Sequence, residues 1–149
     1  VAKDAVVPGV RQHVTVRRTA QWRVLGVIAV GGGLGALARY GVETVWPSAP
    51  GGFPWATFVI NATGCLLIGA LMVLVTDVFA ARPLLRPFVG VGVLGGFTTF
   101  STYANEVRAL LRPGTLPVAF AYLAGTLVAA LLAVVVGMAL TTVLLARLA

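Results

Sequence analysis

The chain reads as four long apolar runs separated by short polar breaks, roughly Arg23–Trp46, Pro54–Thr76, Leu84–Leu111 and Pro117–Ala146. Each reaches the length of about 20 residues that carries a helix across the hydrocarbon core of a bilayer. Turn chemistry is dense in the breaks: Pro47-Ser48-Ala49-Pro50-Gly51-Gly52 after the first run, Asp77 to Pro83 after the second, and Arg112-Pro113-Gly114 after the third. Connections this short make neighbouring helices antiparallel. The pattern predicts an all-α integral membrane protein with four transmembrane helices, because backbone in lipid must satisfy its own hydrogen bonds.

The third run is longer than a bilayer requires and carries Gly90, Gly92, Gly95 and Gly96 immediately before Thr98 and Thr99. A glycine costs a helix interior about 1 kcal/mol relative to alanine, and half-helices at the midplane are where membrane proteins expose helix ends to ions. A helix broken near its middle is therefore expected, although close helix packing is the simpler reading of Gly90 and Gly92. From Gly95 to Glu106 the chain reads Gly-Gly-Phe-Thr-Thr-Phe-Ser-Thr-Tyr-Ala-Asn-Glu. Unsatisfied polar groups in hydrocarbon cost several kcal/mol each. Thr98, Thr99, Ser101 and Thr102 must then face protein, water or an ion, and this run is the candidate pore.

Hydrophobic residues make up 59% of the chain and charged residues only 10%, against roughly 25% charged in a soluble domain. Residues 1–21 stand apart as a basic tail with Lys3, Arg11, Arg17, Arg18 and the single histidine, His13. Lacking a sustained apolar period, the tail is expected to be disordered at the membrane surface, with residues 22–149 forming the transmembrane domain. Four spans put both termini and the Asp77–Arg86 loop on one side, with Lys3, Arg11, Arg17, Arg18, Arg23, Arg82, Arg86 and Arg147; the other side has Arg39, Arg108 and Arg112. That bias favours cytoplasmic termini, but it comes largely from the tail, and the body alone is closer to balanced. Anionic lipid headgroups account for the net charge of +7 without a nucleic acid partner.

Several chemistries are excluded. Cys65 is the single cysteine and falls inside the second span, as a small apolar residue, so no disulfide framework or paired-thiol metal site exists. With His13 in the tail, no histidine metal cluster or Ser-His-Asp set can be assembled, and the chain is not expected to be an enzyme. Gly90-Val91-Gly92-Val93-Leu94-Gly95 and Gly31-Gly32-Gly33-Leu34-Gly35-Ala36 fit dinucleotide fingerprints in letters only, since neither opens a helix after a strand. Gly31 and Gly35 instead form a GxxxG pair suited to close helix approach. Asn61-Ala62-Thr63 is a glycosylation sequon in form, too deep in a span to be used.

The remaining polar residues form a constellation. Asn61 shares a face of the second span with Thr57 and Gly64, and the fourth span supplies Tyr122 and Thr126 at helical spacing. Taken alone, Asn61 reads as an interhelical hydrogen bond; the hydroxyls around it argue for more. Phe100 and Tyr103 stack on one face of a helix that Glu106 continues. Aromatic rings have positive edges, so ring edges and neutral donors can replace the hydration of a small anion. Arg39 either snorkels to the interface or draws anions into a vestibule, and Glu43 lies four residues later as its possible pair.

These motifs resemble the small bacterial fluoride channels of the CrcB or Fluc family. The similarity runs from about Gly31 to Leu145, through Gly32-Gly33-Leu34-Gly35-Ala36-Leu37-Ala38-Arg39-Tyr40, Phe58-Val59-Ile60-Asn61-Ala62-Thr63-Gly64 and Gly95-Gly96-Phe97-Thr98-Thr99-Phe100-Ser101-Thr102. The resemblance implies an antiparallel, dual-topology dimer in the bacterial plasma membrane, with two narrow fluoride pathways and a structural sodium ion at the two-fold axis. It makes Phe100 a pore ring, Asn61 a donor near the anion, and Tyr122 and Thr126 a polar track. Gly95 and Thr98 would offer backbone carbonyls to sodium, Arg39 would be the vestibule arginine, and Glu106 the vestibule carboxylate.

The chain departs from the family pattern where Tyr103 stands at a second pore phenylalanine, where Ala130 stands one turn beyond Thr126 in place of a hydroxyl, and in its basic tail. Passive, selective export of fluoride is the expected function. The departures leave open one half of a heterodimer with a paralogue, or a non-conducting accessory subunit. A small multidrug exporter would need a carboxylate in the first span, where Glu43 lies near the end beside Arg39.

Overall fold

A computed structural model describes the backbone of residues 8–78 and 82–148, and side chains from residue 21 onward within them, Asp77 excepted. Lys3, the side chains of Arg11, His13, Arg17 and Arg18, and residues 79–81 of the second connection lie outside what is described, and with them most of the charge bias expected of the tail. Helix α1 spans Pro8–Val45, so the tail from Pro8 onward is continuous with the first span. Helix α2 spans Trp55–Asp77 and α5 Leu116–Leu148. Gln21–Val45, Trp55–Thr76 and Leu116–Leu148 are the three described stretches long and apolar enough to cross a membrane.

Between α2 and α5 the chain is helical but divided. A π-helical stretch, Arg86–Leu94, passes into one α-turn, α3, Gly95–Phe97. Thr98 (φ −75°, ψ 155°) and Thr99 (φ −146°, ψ 120°) are extended, and α4 follows over Phe100–Leu110. The third apolar run is thus two half-helices meeting at two threonines. Gly51 (φ +73°) and Gly114 (φ +94°) turn the chain between α1 and α2 and between α4 and α5, conformations that cost glycine nothing.

Two close crossings fix the arrangement. Helix α2 packs on α5 with backbones touching: a methyl group at Gly69 would overlap the Val134 carbonyl, and one at Gly137 the Leu66 carbonyl. Helix α1 lies against the π-helical stretch, where Gly31 and Gly35 meet the carbonyls of Phe88 and Val93. Small residues let helices approach in lipid, where burial of apolar surface gives no drive. The burial pattern is correspondingly inverted from that of a soluble domain. Leu127, Leu131, Val135 and many like them are exposed, while the largest fully buried side chains are Tyr122, Ile60 and Thr57.

Candidate functional site

Asn61 builds the break between α3 and α4. Its side-chain Nδ2 donates to the Thr99 carbonyl at 3.1 Å, and the Thr99 N–H donates to Oδ1 at 2.9 Å. The amide therefore replaces, for one extended residue, the helical partners that the break removes, which is what any buried backbone segment requires. Only a group with a donor and an acceptor side by side can do both, so the residue type is dictated by the backbone it serves. One N–H of the amide remains. Gly64, one turn on, makes room for the break: a methyl there would overlap Thr98 Cγ2.

The hydroxyl run is largely spent on the same task. Thr98 Oγ1 donates to the Leu94 carbonyl at 2.9 Å. Thr99 caps α4, its Oγ1 accepting from the Thr102 N–H at 3.1 Å. That same oxygen donates to Thr102 Oγ1 at 3.1 Å and lies 3.3 Å from Ser101 Oγ. Of the run, Thr98 and Thr99 reach the groove described next, whereas Ser101 and Thr102 do not line it.

The break also strips two carbonyls. In a continuous helix Gly95 O would accept from the Thr99 N–H and Thr98 O from the Thr102 N–H. Here the first donor goes to Asn61 Oδ1 and the second to Thr99 Oγ1. Neutral backbone oxygens freed in this way suit a hard cation, and the described residues hold no cluster of His, Cys, Asp and Glu that could serve instead. The carbonyls of Gly95 and Thr98 are thus oxygens of the type a sodium ion takes.

A groove of about 710 Å³ opens beside the break, lined by Asn61 and Cys65 of α2, Phe100 and Tyr103 of α4, and Thr126 and Ala130 of α5 among others. It brings together four of the seven expected pore residues. Phe100 is 80% exposed, and its ring centroid lies 5.8 Å from that of Tyr103. The Tyr103 hydroxyl is spent on the Leu123 carbonyl at 2.8 Å, so this wall offers a ring rather than a free donor. Thr126 is 7% exposed, and its Oγ1 is buried with no hydrogen-bond partner. Leaving a buried hydroxyl unpaired costs about 1–3 kcal/mol. Beyond Thr126, Ala130 makes the lining apolar.

Tyr122 is fully buried and lies outside the groove. Its hydroxyl donates to Glu106 Oε2 at 2.6 Å, and Thr57 Oγ1 donates to Glu106 Oε1 at 2.9 Å. Glu106 thus ties α4 to α2 and α5 with both oxygens engaged. Arg39 donates from Nε to the Gly96 carbonyl at 3.4 Å and from Nη1 to Glu43 at 3.3 Å, bringing α1 to the carbonyl end of α3.

Some participants carried no sequence signal. Thr57 could be placed on the Asn61 face, but nothing marked it as a partner of Glu106. The Leu123 carbonyl is invisible in any side-chain pattern. Cys65 falls one turn after Asn61, and that spacing alone could have put it in the groove.

Residues 26–138 match the family model described as CrcB-like protein, Camphor Resistance. Over 114 residues the chain is 60% identical to the fluoride-specific ion channel FluC 2 of Nocardia farcinica, covering 76% of this chain and 81% of that one. It is 56% identical over 117 residues to FluC 1 of Streptomyces coelicolor, 76% of each chain. With FluC 2 of Streptomyces avermitilis the identity is 50% over 124 residues, 80% of this chain and 78% of the relative.

Proposed function

The chain belongs to the CrcB family, and on that premise we propose that it is a fluoride-selective channel of the bacterial plasma membrane, exporting fluoride passively from the cytoplasm. The observation that carries the reading is the groove lined by Asn61, Phe100, Tyr103 and Thr126. A strongly hydrated anion can leave water only if donors replace its shell at close range. Here those donors are neutral: the amide N–H that the break leaves free, positive ring edges, and the Thr126 hydroxyl, which has no protein partner and reaches an ion by turning out of the wall. With no fixed cation among the lining residues, the ion is not trapped. The carboxylate of Glu106, which would repel an anion, is engaged by Thr57 and Tyr122.

A second, antiparallel copy completes the path. Support comes from the 80% exposure of Phe100, a large ring at the break that one chain leaves uncovered. A sodium ion held by the carbonyls of Gly95 and Thr98 would neutralise the carbonyl ends that the break exposes, and Asn61 and Thr99 keep those carbonyls free by drawing their donors away. A drug–proton exchanger would need a free carboxylate in the first span, and Glu43 there is paired with Arg39. The test is growth in fluoride of a bacterial strain lacking its own exporter. Expression of this chain alone restores growth, and failure by membrane-inserted protein contradicts the proposal.

A further inference from the structure

Helix α4 carries Ser101, Asn105 and Arg108 four and then three residues apart, so they share one face. All three are exposed, while the opposite side of the helix holds Tyr103, Glu106 and the buried Leu110 against the rest of the chain. The outward face of α5, by contrast, is apolar, with Leu127, Leu131 and Val135. The 11 residues of α4 rise about 16 Å, half of the roughly 30 Å of hydrocarbon. Ser101 therefore lies near the middle of the bilayer, and Arg112, also exposed, just beyond the end of the helix.

Amide and guanidinium side chains at such depth face protein or water rather than lipid tails. The charge of Arg108 decides between the two. Burying an arginine in an interface demands a carboxylate, and the described carboxylates, Glu43 and Glu106, are already engaged, in a second copy as in this one. Arg108 and Arg112 have no ion-pair partner among the described residues, whereas the charge of Arg39 is balanced by Glu43. We propose that the outward face of α4 borders a water-filled approach to the groove, and that Arg108 and Arg112, rather than Arg39, draw the anion along it. Low-dielectric walls focus the field of such charges, which reaches about 8 Å at physiological ionic strength. Neither arginine lines the groove, so they concentrate the ion without holding it. That the ion is fluoride rests on the channel reading; the water and the field do not.

The face is read in liposomes with Asn105→Cys in a Cys65→Ser background. Anionic sulfonatoethyl or cationic trimethylammonioethyl methanethiosulfonate is admitted to both sides, and each labelling rate is divided by that of free 2-mercaptoethanol. Ala104→Cys, at the neighbouring exposed position, serves where the first variant does not fold. The thiol lies about 5–6 Å from Arg108, where one charge in water favours the anionic over the cationic reagent by about 3- to 10-fold at low salt. Adding Arg108→Gln should remove most of that preference, as should about 1 M salt, with its Debye length of about 3 Å. A thiol that neither reagent reaches overturns the aqueous face in favour of cover by protein. Equal rates, as a bound lipid phosphate would give, or a preference undiminished by Arg108→Gln, overturn the field. In transport, Arg108→Gln alone should slow fluoride efflux several-fold at low salt and match the native rate at high salt, and Arg108→Lys should behave as native. Unchanged efflux at low salt overturns the drawing role. Native vesicles without efflux count against the channel reading instead, and the labelling still decides the face.

Discussion

Replacing Thr126 with valine separates a hydroxyl that serves an ion from one that serves the fold. Valine keeps the shape of threonine and exchanges Oγ1, the buried atom with no partner in the protein, for a methyl group. A structural hydroxyl lost in this way would cost stability. Here the chain already bears the penalty of an unpaired group, about 1–3 kcal/mol, so Thr126→Val should leave stability unchanged or raise it by up to that amount. Transport should move the other way. A hydrogen bond to a charged group contributes about 1.5–3 kcal/mol, and about 1.4 kcal/mol is a factor of ten, so losing this donor should slow efflux by roughly 10- to 100-fold. Thermal unfolding in detergent and electrode-detected efflux from liposomes read the two quantities on one preparation. A lower unfolding temperature with unchanged efflux would refute the reasoning, since it would give the hydroxyl a structural partner and no ion to serve.

Tyr103→Phe removes the bond to the Leu123 carbonyl but keeps the ring in the groove; it should cost about 1 kcal/mol of stability and leave fluoride efflux running, as read by the same two assays. Asn61→Leu strands the Thr99 N–H and carbonyl; with about 1–3 kcal/mol for each unpaired group, it should both destabilise the protein and abolish efflux. Replacing sodium with N-methylglucamine from purification onward should suppress efflux, with recovery on adding sodium back, if the Gly95 and Thr98 carbonyls hold that ion; undiminished efflux in sodium-free buffer would count against it.

The division of the third apolar run was legible because glycines and hydroxyls crowd one place, from Gly90 to Thr102. What sets the break at Thr98 and Thr99 was not. The decisive partner, Asn61, lies 38 residues away, and no local propensity records a contact of that separation. Gly96, read as a helix breaker, sits in the α3 turn and instead lets α1 approach, since a methyl there would overlap the Gly32 carbonyl.

Helical spacing put Tyr122 and Thr126 on one face of α5, and both are buried there. It could not say that Tyr122 would turn its hydroxyl to Glu106 while that of Thr126 was left without a partner in the groove wall. Spacing gives a face, and partners come from the neighbouring helices. The π-helical stretch was equally hidden, because its wider turns leave no mark on a pattern of valines and glycines.

Fluoride efflux from liposomes containing only this chain, followed with an electrode beside chloride-loaded vesicles and a Phe100→Ile variant, bears on everything above. Rapid loss of fluoride, retention of chloride, and failure of the variant would establish a selective channel whose path runs past the ring exposed at the break. Well-folded native protein that releases no fluoride, or releases chloride as fast, would contradict it.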